Sequence, residues 1–289
     1  MRRHLSYIIF LLLSVTITFS CTERVDIELD TTYTRLAVSG RITSDSLKHE
    51  VLLTRTTDYF FNQPAPAIDN AIVRISFDDT TIVLQNIATV PGLYRMEEAY
   101  KGEPGTTYTL EISNVDIDED GEIEEYAAVA TMPFIAKADS LQLVKFITPF
   151  FSGYQLALFS PDPVGANWYN YKILRNNFLL NKRLSDYTVQ PDEFINGNYI
   201  AGLPVGFLND SDEDEAVMPG DTITLEINSI SKEYYNFITE AQSEIFGNNP
   251  LFSGPPANVS TNLSNGALGF FAAYSVDRVS VIASVPAFR

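Results

Sequence analysis

The acidic segment 116–124 has the residue types and the spacing of a calcium-binding loop. Its sequence, DIDEDGEIE, puts Asp116, Asp118 and Asp120 at loop positions 1, 3 and 5, with glycine at position 6 and then Glu122. Alternating carboxylates can converge on one cation, and the glycine permits the sharp turn that such a loop requires. Asp116, Asp118, Asp120 and Glu122 are therefore candidate calcium ligands.

The same segment also fits a solvated hairpin tip that holds no metal. A calcium loop of this kind is completed by a bidentate acid at position 12, where this chain has Ala127. Strands rather than helices are predicted on both sides, and the pair Asp120-Gly121 is common in tight turns. These features favour the solvated tip and no bound cofactor, with calcium as the alternative. A second acidic run, 210–215, predicts a disordered charged loop.

Cysteine and histidine are too scarce for most nucleophilic or zinc chemistry. The chain has one cysteine, Cys21, and two histidines, of which only His49 lies beyond the first twenty residues. These counts exclude an internal disulfide and a zinc cluster of cysteines and histidines. We interpret His49, in the charged stretch 47–50, as a solvated surface residue. Carboxylate chemistry remains open, so a carboxylate-dependent hydrolase is retained as a third hypothesis.

Residues 1–20 have the organisation of a lipoprotein signal peptide. Two arginines precede the apolar run 5–19, and the small residue Ser20 stands directly before Cys21. The run is shorter than the roughly 20 residues that a membrane-spanning helix needs. We expect cleavage before Cys21 and acylation of its thiol, with the polar, acidic residues 21–32 as a tether.

The net charge limits the partners of the chain. Lysine and arginine number 19 against 37 aspartates and glutamates, which gives a net charge of −18. A surface that binds nucleic acid needs clustered basic residues to neutralise phosphates, so nucleic acid is excluded as a partner. The same charge disfavours adsorption to anionic lipid.

The elements that must position these residues are mainly β-strands. Short runs rich in Val, Ile, Leu, Thr and Tyr alternate with turn signals such as Pro91-Gly92 and Pro104-Gly105. We predict an all-β fold with two β-sandwich-like domains, residues 33–134 and 135–289, the first of them immunoglobulin-like. In the first domain we predict strands at 34–43, 50–56, 71–78, 81–86, 92–99, 107–113 and 123–132.

The second domain is predicted to add one helix to a further set of strands. The helix spans 232–246, because apolar residues recur there with helical spacing after Ser231, a suitable N-cap. It should pack on a sheet, and Gly247 should end it. The predicted strands are 139–148, 153–160, 168–176, 198–207, 221–229, 267–275 and 278–285.

Two aromatic clusters are candidates for contact with a ligand or partner. Tyr59, Phe60 and Phe61 lie in a predicted loop, where three consecutive exposed aromatic residues would form a contact patch. They could equally cover the open end of the first sandwich. In the other cluster, 168–171, strand alternation sends half of the side chains to the core, so at most half can form a binding surface.

Five motifs occur in an informative order. They are LAVSGRIT at 36–43, DNAIVRI at 69–75, GLY at 92–94, GTTYTLEI at 105–112 with TMP at 131–133, and NVSTNLSNGALGFF at 258–271. This order resembles a family of Bacteroidota outer-membrane lipoproteins catalogued as domain of unknown function 4249. The last motif is the most specific, and the resemblance covers nearly all of the chain after the signal peptide.

The resemblance implies a lipid-anchored outer-membrane protein, often encoded beside a TonB-dependent receptor. Glu23, Asp26 and Glu28, shortly after Cys21, resemble the acidic export signal of surface-exposed Bacteroidota lipoproteins, so we expect the protein at the cell surface. The family resemblance supplies no catalytic residues. We therefore expect a binding protein rather than an enzyme, accessory to a TonB-dependent receptor in nutrient uptake. The alternative is a surface adhesin or scaffold that binds glycan or protein without a transporter.

The C-terminal motif also permits a physical interpretation that does not depend on the resemblance. Gly266 and Gly269 are predicted to allow close backbone approach or a bend. Asn258, Asn262 and Asn265 are predicted to cap turns.

Overall fold

Short strands make up most of the described chain. The computed structural model describes residues 34–57, 63–150, 152–247 and 259–284. The strands are β1 Leu36–Thr43, β2 Glu50–Arg55, β3 Ile72–Phe77, β4 Thr80–Asn86, β5 Leu93–Arg95, β6 Thr107–Val115, β7 Glu124–Thr131, β8 Ser140–Ile147, β9 Ser152–Pro161, β10 Trp168–Arg175, β11 Phe178–Leu179, β12 Thr188–Pro191, β13 Tyr199–Asn209, β14 Thr222–Ile230 and β15 Leu268–Ile282. The helix α1 spans Lys232–Gly247, and a 3-10 helix spans Leu184–Asp186.

The strands form two sheets, and the predicted all-β sandwich class is confirmed. The larger sheet has 12 strands in the order β11-β10-β14-β15-β1-β2-β5-β4-β3-β6-β7, with β12 paired to β10. The smaller sheet has the order β13-β9-β8. Alternating buried and exposed residues along β6 and β1 show that one face of the large sheet packs on a core.

Strand β15 joins the two halves of the chain. It pairs in parallel with β1, with Ala37 opposite Leu268 and Thr43 opposite Tyr274. On its other side it pairs antiparallel with β14, with Thr222 opposite Ile282. The segments predicted as two strands, 267–275 and 278–285, thus belong to a single long strand.

Two large hydrophobic clusters lie on either side of the predicted boundary at residue 134. The first contains Val38, Tyr108 and many other residues of β1–β7, and the second is built from residues between 138 and 227. The C-terminal segment crosses this division, because Phe271 and Ala273 are buried in the first cluster. The end of the chain therefore completes the core of its beginning.

Helix α1 confirms the helix predicted at 232–246. The Ser231 hydroxyl accepts a hydrogen bond from the Tyr234 backbone N–H at 3.2 Å, as expected of an N-cap. Ile238 and Ala241 are buried, and the helix packs through a third cluster that includes Phe270 and Ile230. The described part of the chain contains no helix with the length and apolar character that a membrane span requires.

Candidate functional site

Two of the predicted sites fall on residues outside the described ranges. Cys21 lies before residue 34, and Tyr59, Phe60 and Phe61 lie between residues 57 and 63. Acylation of Cys21 and the aromatic contact patch therefore stay predictions.

The acidic loop between β6 and β7 brings three of its four candidate ligands together. Carboxylate oxygens of Asp116, Asp118 and Asp120 all lie within 4.8 Å of one another. Glu122 lies outside this group, and its backbone N–H donates to Asp120 Oδ1 at 2.7 Å. The loop is closed from within, because the Gly121 N–H donates to Asp116 Oδ2 at 3.1 Å.

Two residues next to this loop, Arg55 and Ala127, favour the solvated hairpin tip over a calcium site. The Arg55 guanidinium pairs with Glu119 at 2.5 Å and donates to the Asp116 carbonyl at 3.2 Å, so a protein cation already stands beside the carboxylates. Ala127, at the twelfth loop position, lies in β7 and is held in strand pairing. Its N–H donates to Ser264 Oγ and its carbonyl accepts from the Ser264 N–H, each at 2.8 Å.

The second acidic run, 210–215, is held by hydrogen bonds, so the prediction of a disordered loop is wrong. Asp210 accepts from Lys145 Nζ at 2.5 Å and from the Ser152 hydroxyl at 2.6 Å. Glu215 accepts the Asn209 N–H at 3.0 Å. These contacts hold the run against strands β8, β9 and β13 and spread its charge over separate partners.

A cavity of about 430 Å³ opens between helix α1 and the face of the large sheet formed by β1, β2, β5 and β15. Its walls are mainly apolar and aromatic, and include Leu52, Leu93, Leu184, Tyr234, Phe237 and Phe270. Ligand pockets are typically concave and apolar, about 300–1,000 Å³ in volume, with a few polar groups. The size and walls of this cavity fit that description.

Strand register builds the floor of the cavity. Ser39 in β1 stands opposite Leu52 in β2 and opposite Phe270 in β15, and Leu52 stands opposite Leu93 in β5. Residues paired in this way point to the same face of a sheet. The four side chains therefore form one row across four strands.

Aromatic rings from helix α1 form the wall above this row. The ring of Tyr234 lies 5.0 Å from that of Phe270, and the ring of Phe237 lies 5.2 Å from it. Tyr234 also stacks on Tyr274 at 6.3 Å. Such pairs contribute about 0.5–1.5 kcal/mol each beyond the burial of their area, so they stabilise this arrangement of rings.

Arg41 is the cation of the cavity. It lies on β1 two residues after Ser39, on the same face, and it keeps an exposed side chain. No hydrogen bond or ion pair links it to another residue within the described ranges. Interaction with the Tyr274 hydroxyl, ahead of Tyr187 and Tyr234, raises the pKa of Arg41, so the guanidinium stays charged.

The other cations on this face are compensated. Arg95 pairs with Glu50 at 2.6 Å, and Arg278 pairs with Asp45 and with Glu226, each at 2.6 Å. Lys172 is buried and also has partners. Its Nζ lies 3.7 Å from a carboxylate oxygen of Glu226 and 5.5 Å from the centre of the Tyr187 ring. Burial lowers the pKa of Lys172.

A family model described as Domain of unknown function (DUF4249) matches residues 22–280. The chain belongs to the DUF4249 family. The match includes every residue named above in the cavity, and the acidic loop. No curated protein matches the chain.

One sequence-based interpretation of this DUF4249 chain is wrong: His49 is buried, not solvated. Its side chain is 3% exposed, and its Nε2 donates to the Tyr100 carbonyl at 2.9 Å. Leu47 and Tyr100 pair through their backbones, and the Tyr100 ring makes an edge contact with the His49 ring, with the ring centres 6.3 Å apart. Burial lowers the pKa of His49 below its ordinary value of 6.5.

The aromatic cluster 168–171 of the DUF4249 chain is almost entirely structural. Tyr169 and Tyr171 are buried in the second cluster, where the Tyr169 hydroxyl donates to Asp162 at 2.7 Å. Trp168 packs in the cluster under helix α1, and Asn170 is buried. The sequence analysis did not identify Arg41 or the cavity as a site. The one signal for Arg41 in the sequence was a charged residue within a strand that contains several buried apolar residues.

Proposed function

We propose that this DUF4249 protein is a lipid-anchored binding protein of the outer membrane in a member of the Bacteroidota, accessory to a TonB-dependent receptor in nutrient uptake. The observation that carries the binding role is the aromatic cavity between helix α1 and the sheet. An open, apolar cavity with a few polar groups suits the capture of a small molecule.

The polar groups of this cavity support binding rather than hydrolysis. Glu50 lines the cavity, and its carboxylate pairs with Arg95 at 2.6 Å. Hydrolysis by two carboxylates requires a facing pair, one acting as acid and the other as base or nucleophile. Of the lining residues that the structure describes, Glu50 alone carries a carboxylate, and it is engaged as the ion-pair partner of Arg95.

The anchor is supported by the pattern around Cys21. An apolar run of signal-peptide length, a small residue and then the cysteine are what lipoprotein processing needs. The chain from Cys21 to the first strand at Leu36 would keep that strand within roughly 50 Å of the lipid, because an extended chain spans at most about 3.5 Å per residue. A folded unit so close to the membrane could contact a neighbouring receptor.

The anchor is tested by replacing the cysteine. The wild-type chain should incorporate labelled fatty acid and partition into detergent, whereas Cys21→Ser should do neither. Ser20→Ala keeps a small residue before the cysteine and is the control that should still be labelled. Equal labelling of wild type and Cys21→Ser would remove the lipoprotein assignment.

The partner is tested by crosslinking in intact cells, followed by identification of what is captured. We expect a TonB-dependent receptor, and we expect Phe60→Ala with Phe61→Ala to weaken its capture, since aromatic residues dominate many interfaces. Phe194→Ala, which removes an aromatic side chain that is 95% exposed elsewhere, is the control. Capture of glycan or other surface proteins without a receptor would favour the adhesin alternative.

A further inference from the structure

The cavity holds a positive charge, Arg41, that forms no ion pair within the described part of the chain. Arg278, Lys172 and Arg95 each form an ion pair with an acidic residue on this face. Arg41 forms no ion pair among the residues described, although the Glu50 carboxylate, which pairs with Arg95, contributes to raising the pKa of Arg41. The chain has a net charge of −18, with about twice as many acidic as basic residues. In such a chain, a cation in a concave site without an ion-pair partner is unusual. An anion from outside would complete the charge balance.

The surroundings of Arg41 specify more than charge. The Ser39 hydroxyl lies on the same face, two residues away, and can donate a further hydrogen bond. The Glu50 carboxylate and the hydroxyls of Tyr187 and Tyr234 also line the cavity, and the rest of the described wall is mainly apolar, with Leu52, Phe237 and Phe270. A ligand that fits this arrangement has one anionic end and an apolar body.

We propose that Arg41 binds the carboxylate of a small organic acid whose apolar body lies between helix α1 and the row formed by Ser39, Leu52, Leu93 and Phe270. The guanidinium presents a planar fork of donors that matches a carboxylate in bidentate geometry. The rings of Tyr234, Phe237 and Phe270 provide the surface against which an apolar or aromatic body packs.

The charges favour a monocarboxylate over a phosphate. Arg41 is the one cation among the described lining residues and forms no ion pair there, and Glu50 also lines the cavity. A dianionic phosphate would be repelled by Glu50 and would leave one charge uncompensated, whereas a monocarboxylate balances Arg41 alone. The ligand class is therefore an amphipathic monocarboxylic acid.

This inference deepens the proposed binding role and rests on it only in treating the chain as a binding protein. It does not depend on the receptor. Titration of the purified chain tests the ligand class, whereas crosslinking in cells tests the partner, so either can fail while the other holds.

The experiment is a calorimetric titration of the full-length chain with 4-phenylbutyrate and with its neutral amide, 4-phenylbutanamide. The two probes share size and apolar body and differ in charge. We expect the acid to bind the wild-type chain roughly tenfold or more tightly than the amide, because a charge-assisted bidentate hydrogen bond discriminates by about that factor. Inorganic phosphate should bind more weakly than the acid.

Variants assign this preference to Arg41. Arg41→Gln should weaken binding of the acid roughly tenfold or more and leave binding of the amide unchanged. Arg74→Gln makes the same change in charge on β3, outside the cavity, and should alter neither. Phe237→Ala should weaken both probes, since it removes part of the apolar wall.

Three results would overturn the proposal. They are equal affinity of the wild type for acid and amide, equal affinity of wild type and Arg41→Gln for the acid, and no binding of the acid at about 10 mM, well beyond a weak millimolar dissociation constant. Thermal melting of each variant shows whether it is folded, and the comparison of the two probes on the wild-type chain needs no variant.

Discussion

The side-chain amide of Asn262 pairs with both backbone groups of Phe271, as a residue of a neighbouring strand would. Asn262 Nδ2 donates to the Phe271 carbonyl at 2.8 Å, and the Phe271 N–H donates to Asn262 Oδ1 at 3.0 Å. The same Nδ2 also donates to the Val129 carbonyl in β7 at 3.1 Å. Asn262 was predicted to cap a turn, but it connects β15 to β7 and so closes the sandwich around its first core.

We expect Asn262→Ala to lower the free energy of unfolding by about 2–4 kcal/mol. Three hydrogen bonds are lost, and backbone groups of two strands are left without their partners at a partly buried site. Urea denaturation measures the change. Asn198→Ala, which removes one exposed hydrogen bond to the Asn196 carbonyl, is the control and should change stability by less than about 1 kcal/mol. Similar effects of the two changes would show that Asn262 does not hold the strands together.

Gly269 is predicted to tolerate no side chain. A Cβ at this position would lie 2.0 Å from the Val38 carbonyl oxygen, and the backbone has φ +93°. We expect Gly269→Ala to destabilise the protein by about 2 kcal/mol or more, because both the β1–β15 pairing and the backbone conformation are strained. Thermal or urea unfolding measures this, and an unchanged midpoint would contradict the close approach of the two strands.

Gly247 provides the matched control for this substitution. It lies at the end of helix α1, and a Cβ there would meet nothing within 4 Å. We therefore expect Gly247→Ala to leave stability within about 0.5 kcal/mol of the wild type.

Stability should fall with pH below about 6.5 because of His49. Burial lowers the pKa of His49 in the folded chain below its ordinary value of 6.5, so the unfolded chain takes up a proton more readily. The stabilisation is present above pH 6.5 and is lost as the pH falls through the lower pKa of the folded state. The measurement is urea denaturation at intervals between pH 7.5 and about pH 4.5, within the range where histidine titrates.

His49→Gln isolates this contribution, because glutamine does not titrate and can still donate to the Tyr100 carbonyl. Its stability should change less than that of the wild type over this pH range. Asp45, whose pKa is lowered by its hydrogen bond with Arg278, contributes at more acidic pH, below its ordinary 3.8. Parallel pH profiles for wild type and variant would rule out a role of His49.

Millimolar calcium is expected to leave the melting temperature unchanged. The acidic loop already has Arg55 beside it, and its twelfth position, Ala127, is held in strand pairing. A calcium-dependent rise that Asp118→Asn with Asp120→Asn abolishes would instead establish an ion site by mass action. Asp212→Asn with Asp214→Asn, in the other acidic run, is the matched control.

Local structure was largely predictable from the sequence. The alternation of apolar residues along β1 and β6 and the spacing in helix α1 are patterns of neighbouring residues, so they can be recognised without any knowledge of the fold. Asn265 and Gly266 do form the turn before β15, with φ values of +54° and +70°. The short strands β11 and β12 were missed, because two to four residues carry too little pattern.

The long-range arrangement was decided only by the tertiary structure. The sequence of β15 predicts a strand but does not indicate which other strand it pairs with. Its parallel pairing with β1 depends on contacts between residues more than 200 positions apart in the chain. The local sequence around His49 is charged and predicts an exposed residue, but the side chain is buried and hydrogen-bonded to Tyr100, 51 residues later in the chain. Burial of a single residue is set by such distant partners and leaves no local signature.

The sequence by itself determined the strands, the helix, the acidic loop and the signal-like segment before Cys21, because each depends on residues close together in the chain. The cavity and its cation depended on the register that aligns Leu93, Leu52, Ser39 and Phe270 and on the helix that covers this row. Arg41 becomes a candidate ligand-binding residue only when these segments meet, since local pattern fixes which way a side chain points and tertiary pairing fixes what it faces.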